Sequence, residues 1–156
     1  LDIDGIDYWI LKKINPKFSK IIIAEYNPFF GSDFEITVPN LKDFDRKKYH
    51  YSHLCYGMSL RALINLMKKK DYTFLGTNEL LNNGFFIANE YLNNISLEKI
   101  DTKDLTEFTN AKYMDSRDKF GQLNYINTSK IIDEIENCEI VDISDDEKIK
   151  KIKDLI

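Results

Sequence analysis

Residues 20–26 read KIIIAEY, three isoleucines in a row closed by an alanine and an acid. β-Branched side chains favour extended backbone, and an apolar run without alternation is the pattern of a strand covered on both faces, as parallel sheets provide. The stretch before it, LDIDGIDYW over residues 1–9, supplies the preceding elements. Leu1 to Ile3 reads as the tail of a second buried strand, Gly5 as a turn, and Asp7 as the N-cap of a helix from Tyr8 to Ile14 that Asn15-Pro16 stops. Strand, helix and strand make a βαβ unit with a right-handed crossover, so the expected class is α/β with a mostly parallel sheet.

Residues 27–57 lack a period, carry two of the three prolines and are dense in Phe, Tyr and His, which predicts a long, shaped loop. From Ser59 a helix can start, with Leu60, Leu63, Ile64 and Met67 on one face and Lys68 to Lys70 complementing the carbonyls at its end. Tyr72 to Thr77 and Gly84 to Asn89 read as strands, and their short connector favours an antiparallel pair. Beyond Leu92 the composition turns polar and charged. Ile131, Ile132 and Ile135 mark a helix there, CEIVDI over residues 138–143 a short strand, and Asp145 the cap of a last helix carrying Ile149, Ile152 and Ile156. The expected organisation is an α/β domain over residues 1–94 and an α-rich C-terminal appendage over 95–156.

With 156 residues, 43% hydrophobic and 13% aromatic, the chain has enough apolar side chain for a core, which argues against disorder. A formal net charge of −4 argues against a general nucleic-acid binder, because phosphate recognition needs a basic face. Cys55 and Cys138 form no C-x-x-C pair, as expected of small buried side chains in a reducing, cytoplasmic compartment. No apolar run approaches the roughly 20 residues of a membrane helix. A chain that opens on Leu1 and runs at once into a motif reads as part of a longer polypeptide. The composition leaves oligomer formation open.

Asp2 and Asp4 should lie at the carboxyl end of one strand, and Glu25 and Asn27 at the end of the next, the rim where ligands of open α/β sheets gather. Two ionised carboxylates about 4 Å apart repel by roughly 4 kcal/mol at an effective dielectric of 20, so such a pair needs a cation or a shared proton. A divalent metal of the magnesium or manganese kind on Asp2, Asp4 and Glu25 would meet that need. Alternatively, Asp2 accepts hydrogen bonds from loop amides, Asp4 does the same across the Gly5 turn, and Asp7 only caps the helix, the reading that suits Asp7 best. In KKYHYSHLCYGMS, His50 and His53 are the chain's two histidines, three residues apart and flanked by Tyr49, Tyr51 and Tyr56. His50 is a candidate general base, with His53 and Tyr51 beside it as acceptor contacts; the bland alternative is ordinary loop residues bonded to backbone.

Three families share the DIDG stretch. The haloacid-dehalogenase-like phosphatases carry D-x-D-G-T, but Ile6 stands where threonine belongs, and DISDD over residues 142–146 lacks the glycine of their distant acidic motif. The D-x-D glycosyltransferases hold a metal and a sugar nucleotide with such acids. LDIDGIDYWILKKI followed by KIIIAEYNP most resembles the middle of a class I S-adenosylmethionine methyltransferase of the FkbM type, where a strand ending in D-x-(D/E)-G leads through a helix to a strand ending in an acid. GMSLRALINLMKKKDYTFLGTN, NNGFFIANEYL and SRDKFGQL extend the likeness to a group of uncharacterised bacterial proteins. The resemblance implies a Rossmann-like sheet with an antiparallel last strand. It also implies methyl transfer to a small polar acceptor, such as a sugar hydroxyl, with Asp2 and Asp4 orienting acceptor or metal and Glu25 and Asn27 closing the site.

In that family the cofactor lies on a glycine-rich loop in the half preceding these motifs, and the six glycines of this chain nowhere form G-x-G-x-G. The expectation is the carboxyl-terminal part of a methyltransferase-like protein, against two alternatives: a non-catalytic binding or assembly module, and a metal-dependent phosphatase or glycosyltransferase. S-Adenosylmethionine should bind this chain weakly or not at all, and micromolar affinity in a calorimetric titration would overturn that expectation.

Overall fold

The computed structural model describes residues 1–94, 100–111 and 113–155. Helix α1 spans Asp7–Lys13 and strand β1 Ile21–Glu25. A short 3-10 turn over Pro28–Phe30 leads to strand β2 at Ile36–Thr37, and helix α2 covers Arg46–Tyr49. Helix α3 is Leu60–Lys69, strand β3 Tyr72–Thr77 and strand β4 Asn83–Ala88. Strands β5 (Tyr113–Arg117) and β6 (Leu123–Asn127) precede helix α4 (Thr128–Ile135), and strands β7 (Glu139–Asp142) and β8 (Lys148–Lys151) follow it.

The local signals act largely as their chemistry suggests. Ser59 caps α3 by accepting the Ala62 amide, and Leu60, Leu63, Ile64 and Met67 are all buried. Lys70 Nζ donates to the Lys12 carbonyl at 3.1 Å, so part of the lysine run closes the end of α1. The β3–β4 pair is antiparallel, with a register shift between Phe74 and Gly76 where Gly76 takes φ +119°. Its connector is tied by Asn78 Oδ1, which accepts the Asn82 and Asn83 amides at 3.1 and 3.0 Å.

The mostly parallel, Rossmann-like sheet expected from KIIIAEY is not formed. All three sheets are antiparallel, in the orders β1-β4-β3, β2-β7-β8 and β5-β6. Strand β1 lies at the edge of the first, where Ala24 is buried while Ile21 and Ile23 are 55% and 45% exposed. An apolar run records that both faces could be covered, not that both are. Parallel geometry survives at one point: Leu1 donates to the Ile23 carbonyl at 2.6 Å and accepts the Glu25 amide at 2.9 Å, which sets Leu1 opposite Ala24.

The C-terminal part also departs from its expected α-rich character. Its described residues hold one α-helix, α4, and four strands. The last helix expected after Asp145 is instead β8 and a 3-10 turn over Ile152–Asp154. Ile149 is 63% exposed and Ile152 is buried, so the isoleucines do not share a helical face. Ile156 lies outside the described residues. The expected boundary between residues 94 and 95 borders residues 95–99, which also lie outside them. Strand β7, from beyond that point, pairs with β2, from before it.

Two apolar clusters result. Tyr8, Trp9 and Leu11 of α1 and the buried face of α3 cover Ala24, Tyr72, Phe74, Phe86 and Ala88 of the first sheet. Phe29, Phe30, Ile36, Val38, Leu54 and Cys55 pack with Ile131, Ile135, Cys138 and Ile140 in the other. Ile6 touches both, and the Trp9 indole donates to the Val38 carbonyl at 2.8 Å, so residues 27–57 are the mortar between the sheets.

Asp142 anchors the second sheet. Its carboxylate receives Lys150 Nζ at 2.8 Å and the Ser144 hydroxyl and amide at 2.6 and 3.0 Å. Burial raises its pKa, but these bonds outweigh that and hold it below the ordinary aspartate value. Because the folded carboxyl titrates below the unfolded one, its stabilisation is full above the usual aspartate range and is lost as pH falls through the folded value. Asp142→Asn should therefore cost about 1 to 2 kcal/mol at pH 7 in urea unfolding, with the gap to the parent closing as pH falls below the usual aspartate range.

Candidate functional site

The acidic corner is assembled by backbone geometry. Side chains alternate along extended backbone, so with Leu1 opposite Ala24, Asp2 falls beside Glu25, the last residue of β1. Asp7 shapes the loop that follows. It is not the N-cap of α1, a place taken by Ile6; it is fully buried, and its carboxylate turns back to accept the Ile3 amide at 3.1 Å and the Gly5 amide at 3.0 Å. Between these two bonds Asp4 adopts the left-handed φ of +55°. The Gly5 carbonyl accepts the Gly57 amide at 2.9 Å, and a Cβ at residue 5 would stand 2.9 Å from the Phe44 ring, so any larger residue there would have to displace that ring.

This arrangement brings one carboxylate oxygen each from Asp2, Asp4 and Glu25 within 4.8 Å of one another. At that separation two full charges repel by about 3.5 kcal/mol at an effective dielectric of 20. Asp2 is exposed and Asp4 half-buried, whereas Glu25 is only 6% exposed and its Oε2 has no hydrogen-bond partner. Burial first, then the charges of Asp2, Asp4 and Asp7 and a hydrogen bond shared with Asp2, push the Glu25 pKa up to about 8. Arg46, at the start of α2, forms an ion pair with Asp4, and its guanidinium lies 5.0 Å from the centre of the Tyr56 ring. The wall is thus a buried acid, two accessible acids and a cation held over an aromatic face. Such a set offers oxygen ligands on one side and solvent on the other, the form a magnesium or manganese site takes when it keeps positions for substrate.

The other candidate residues have different surroundings. Asn27 lies close in sequence but its side chain is committed to backbone: Nδ2 donates to the Leu54 and Tyr56 carbonyls at 2.8 and 3.1 Å, and Oδ1 accepts the Phe29 amide at 3.1 Å. Its role is to shape the loop rather than to present a ligand group. His50 shares its Nδ1 with the Ser52 hydroxyl at 2.7 Å and lines a cavity with Cys138, Glu139 and Lys151, in which none of the three carboxylates takes part. Burial lowers the His50 pKa although Glu134 opposes it. Tyr51 donates its hydroxyl to Glu134 of α4. His53 has a left-handed φ of +62°; burial and then Arg117, Arg46 and Lys47 hold its pKa low. Sequence reasoning overlooked Asp7 as the clamp and Arg46 as the counter-charge. Nothing in the run DFDRKKYH distinguishes Arg46 from its basic neighbours.

Comparisons with protein-family models, with curated proteins and with solved structures found no match to this chain. Among the described residues no helix is long and apolar enough to cross a membrane.

A buried acid whose second oxygen lacks a partner weakens the fold that carries it. The folded chain keeps a proton on Glu25 that the unfolded chain has released above about pH 4.5, so this residue's contribution to stability falls as pH rises from there toward 8. Glu25→Gln keeps the shape and removes the ionisation. In thermal unfolding at pH 8 without divalent cations it should raise Tm by a few degrees; a fall in Tm would mean that Glu25 serves the fold.

Proposed function

We propose that this protein holds a divalent cation of the magnesium or manganese kind on Asp2, Asp4 and Glu25 and uses it to bind and activate an anionic small molecule. This is the metal-dependent phosphatase or glycosyltransferase reading of the D-x-D acids. The observation that carries it is the convergence of the three carboxylates within 4.8 Å with a buried, unpartnered oxygen on Glu25. A cation would supply the Glu25 carboxylate with a ligand bond and offset the mutual repulsion of the acids. Two of the acids are open to solvent, which leaves coordination positions for water and substrate oxygens. Methyl transfer from S-adenosylmethionine rests on the quoted resemblance alone, and an antiparallel sheet adds no support to it. We place the activity in the cytoplasm, a reading that rests on a sequence with two cysteines and no C-x-x-C pair.

Titration of the chain with manganese, followed by calorimetry and by loss of the free-ion paramagnetic resonance signal, should give a single site. Asp2→Asn, Asp4→Asn and Glu25→Gln should each weaken it at least tenfold, and the cation should raise the Tm of the parent but not of Glu25→Gln. Absence of binding at millimolar manganese would defeat the proposal.

A further inference from the structure

A cation on three carboxylates identifies an anionic substrate only in general terms, and the chemistry beside the corner narrows it. Helix α2 starts under an Asp45 cap that accepts the Lys47 amide at 2.9 Å. Arg46, its first residue, already reaches Asp4 in the corner. The chain then turns through residues 50–53, closed by the His53 amide on the His50 carbonyl at 3.0 Å. The Ser52 carbonyl in this turn accepts the Arg117 amide at 3.1 Å, which sets the end of β5 against His53. Helix α2, the turn that follows it and the distant strand β5 thereby place Arg46, Lys47 and Arg117 around His53, which experiences the field of all three cations with Asp45 as the opposing acid.

The charges there are neutralised internally only in part. Among the described residues, Arg46 pairs only with Asp4, Lys47 and Arg117 make no ion pair, and Asp45 pairs with Lys48 at 3.7 Å. The like charges gathered around His53 repel one another, so an anion that reaches them is favoured there. A phosphate ester does so: one oxygen joins the metal and the others take hydrogen bonds from guanidinium groups, whose planar fork matches phosphate.

Resting on the cation reading above, we propose that the substrate is a phosphorylated small molecule whose phosphate bridges the cation on Asp2, Asp4 and Glu25 to the cluster of Arg46, Lys47, His53 and Arg117. When the cation takes up the charge of Asp4, Arg46 is released toward the phosphate. The organic part of the substrate then projects to solvent past the half-buried His53.

The test uses phenyl phosphate as probe on the full chain. Its phosphorus resonance should broaden in the presence of manganese and protein together, and calorimetry should show phenyl phosphate binding that requires the metal. The Lys47→Gln, Arg117→Gln double variant should lose at least tenfold in phenyl phosphate affinity while manganese affinity stays within twofold, which also reports that the variant is folded. Should the pair disturb folding, Lys47→Gln alone, at an exposed position, carries the same comparison with an expected loss of about threefold. Manganese binding without phenyl phosphate binding, or phenyl phosphate affinity unchanged in the variants, overturns this inference and leaves the cation reading intact. Absence of manganese binding overturns the cation reading and the bridged geometry with it.

Discussion

The carboxylate of Asp7 is the interaction on which the acidic corner depends. Fully buried, it takes the amides of Ile3 and Gly5 and thereby bends the chain through the left-handed residue Asp4 between them. A loop amide left without that acceptor would cost a full desolvation penalty, so the turn and the acid hold each other in place. Leu1 on one side, bonded into the edge of β1, and α1 on the other then have fixed positions, and Asp2 and Asp4 are carried to Glu25.

Glu25 sits at the opposite end of the energetic scale. Where Asp7 is satisfied by two amides, Glu25 has an oxygen with no partner and a pKa raised to about 8 by burial and by its acidic neighbours. One buried acid maintains the turn; the other is left wanting a proton or a cation at the place where the turn delivers two more acids. Unsatisfied polar groups of this kind are few in folded chains and cluster where ligands bind.

Residues 27–57 connect this corner to the remainder of the molecule. Asn27 bonds the backbone of residues 54 and 56, Trp9 bonds Val38, and Gly57 bonds Gly5, so the aromatic segment is pinned to α1 and to the acidic turn at several points. Through the same segment Arg46 and Tyr56 reach the corner while Tyr51 reaches α4 and Tyr49 reaches the Glu139 carbonyl. A stretch without secondary-structure periodicity is in this way among the most constrained in the chain.

Short-range chemistry was legible in the sequence. The apolar stripe and Ser59 cap of α3, the extended runs at β1, β3 and β4, the short connector that makes β3 and β4 antiparallel, and the crowding of acids before and after α1 all follow from residue type and spacing. The direction of β1 in its sheet did not follow, because hydrophobicity along a strand is indifferent to the direction of its neighbour and to whether both faces are covered; the exposed Ile21 and Ile23 carry the same signal as buried residues. The last isoleucines misled for a related reason, since spacings of three and four suit a helix but Ile149 and Ile152 ended on opposite sides of a strand and turn. What residue order alone determined was which segments extend, coil and turn, since those depend on neighbours a few bonds away. Which acids meet, which acid is buried with an oxygen left unpartnered, and that Arg46 rather than another of its basic neighbours pairs with one of them were decided by tertiary structure alone, because they depend on contacts between segments whose separation along the chain leaves no local trace.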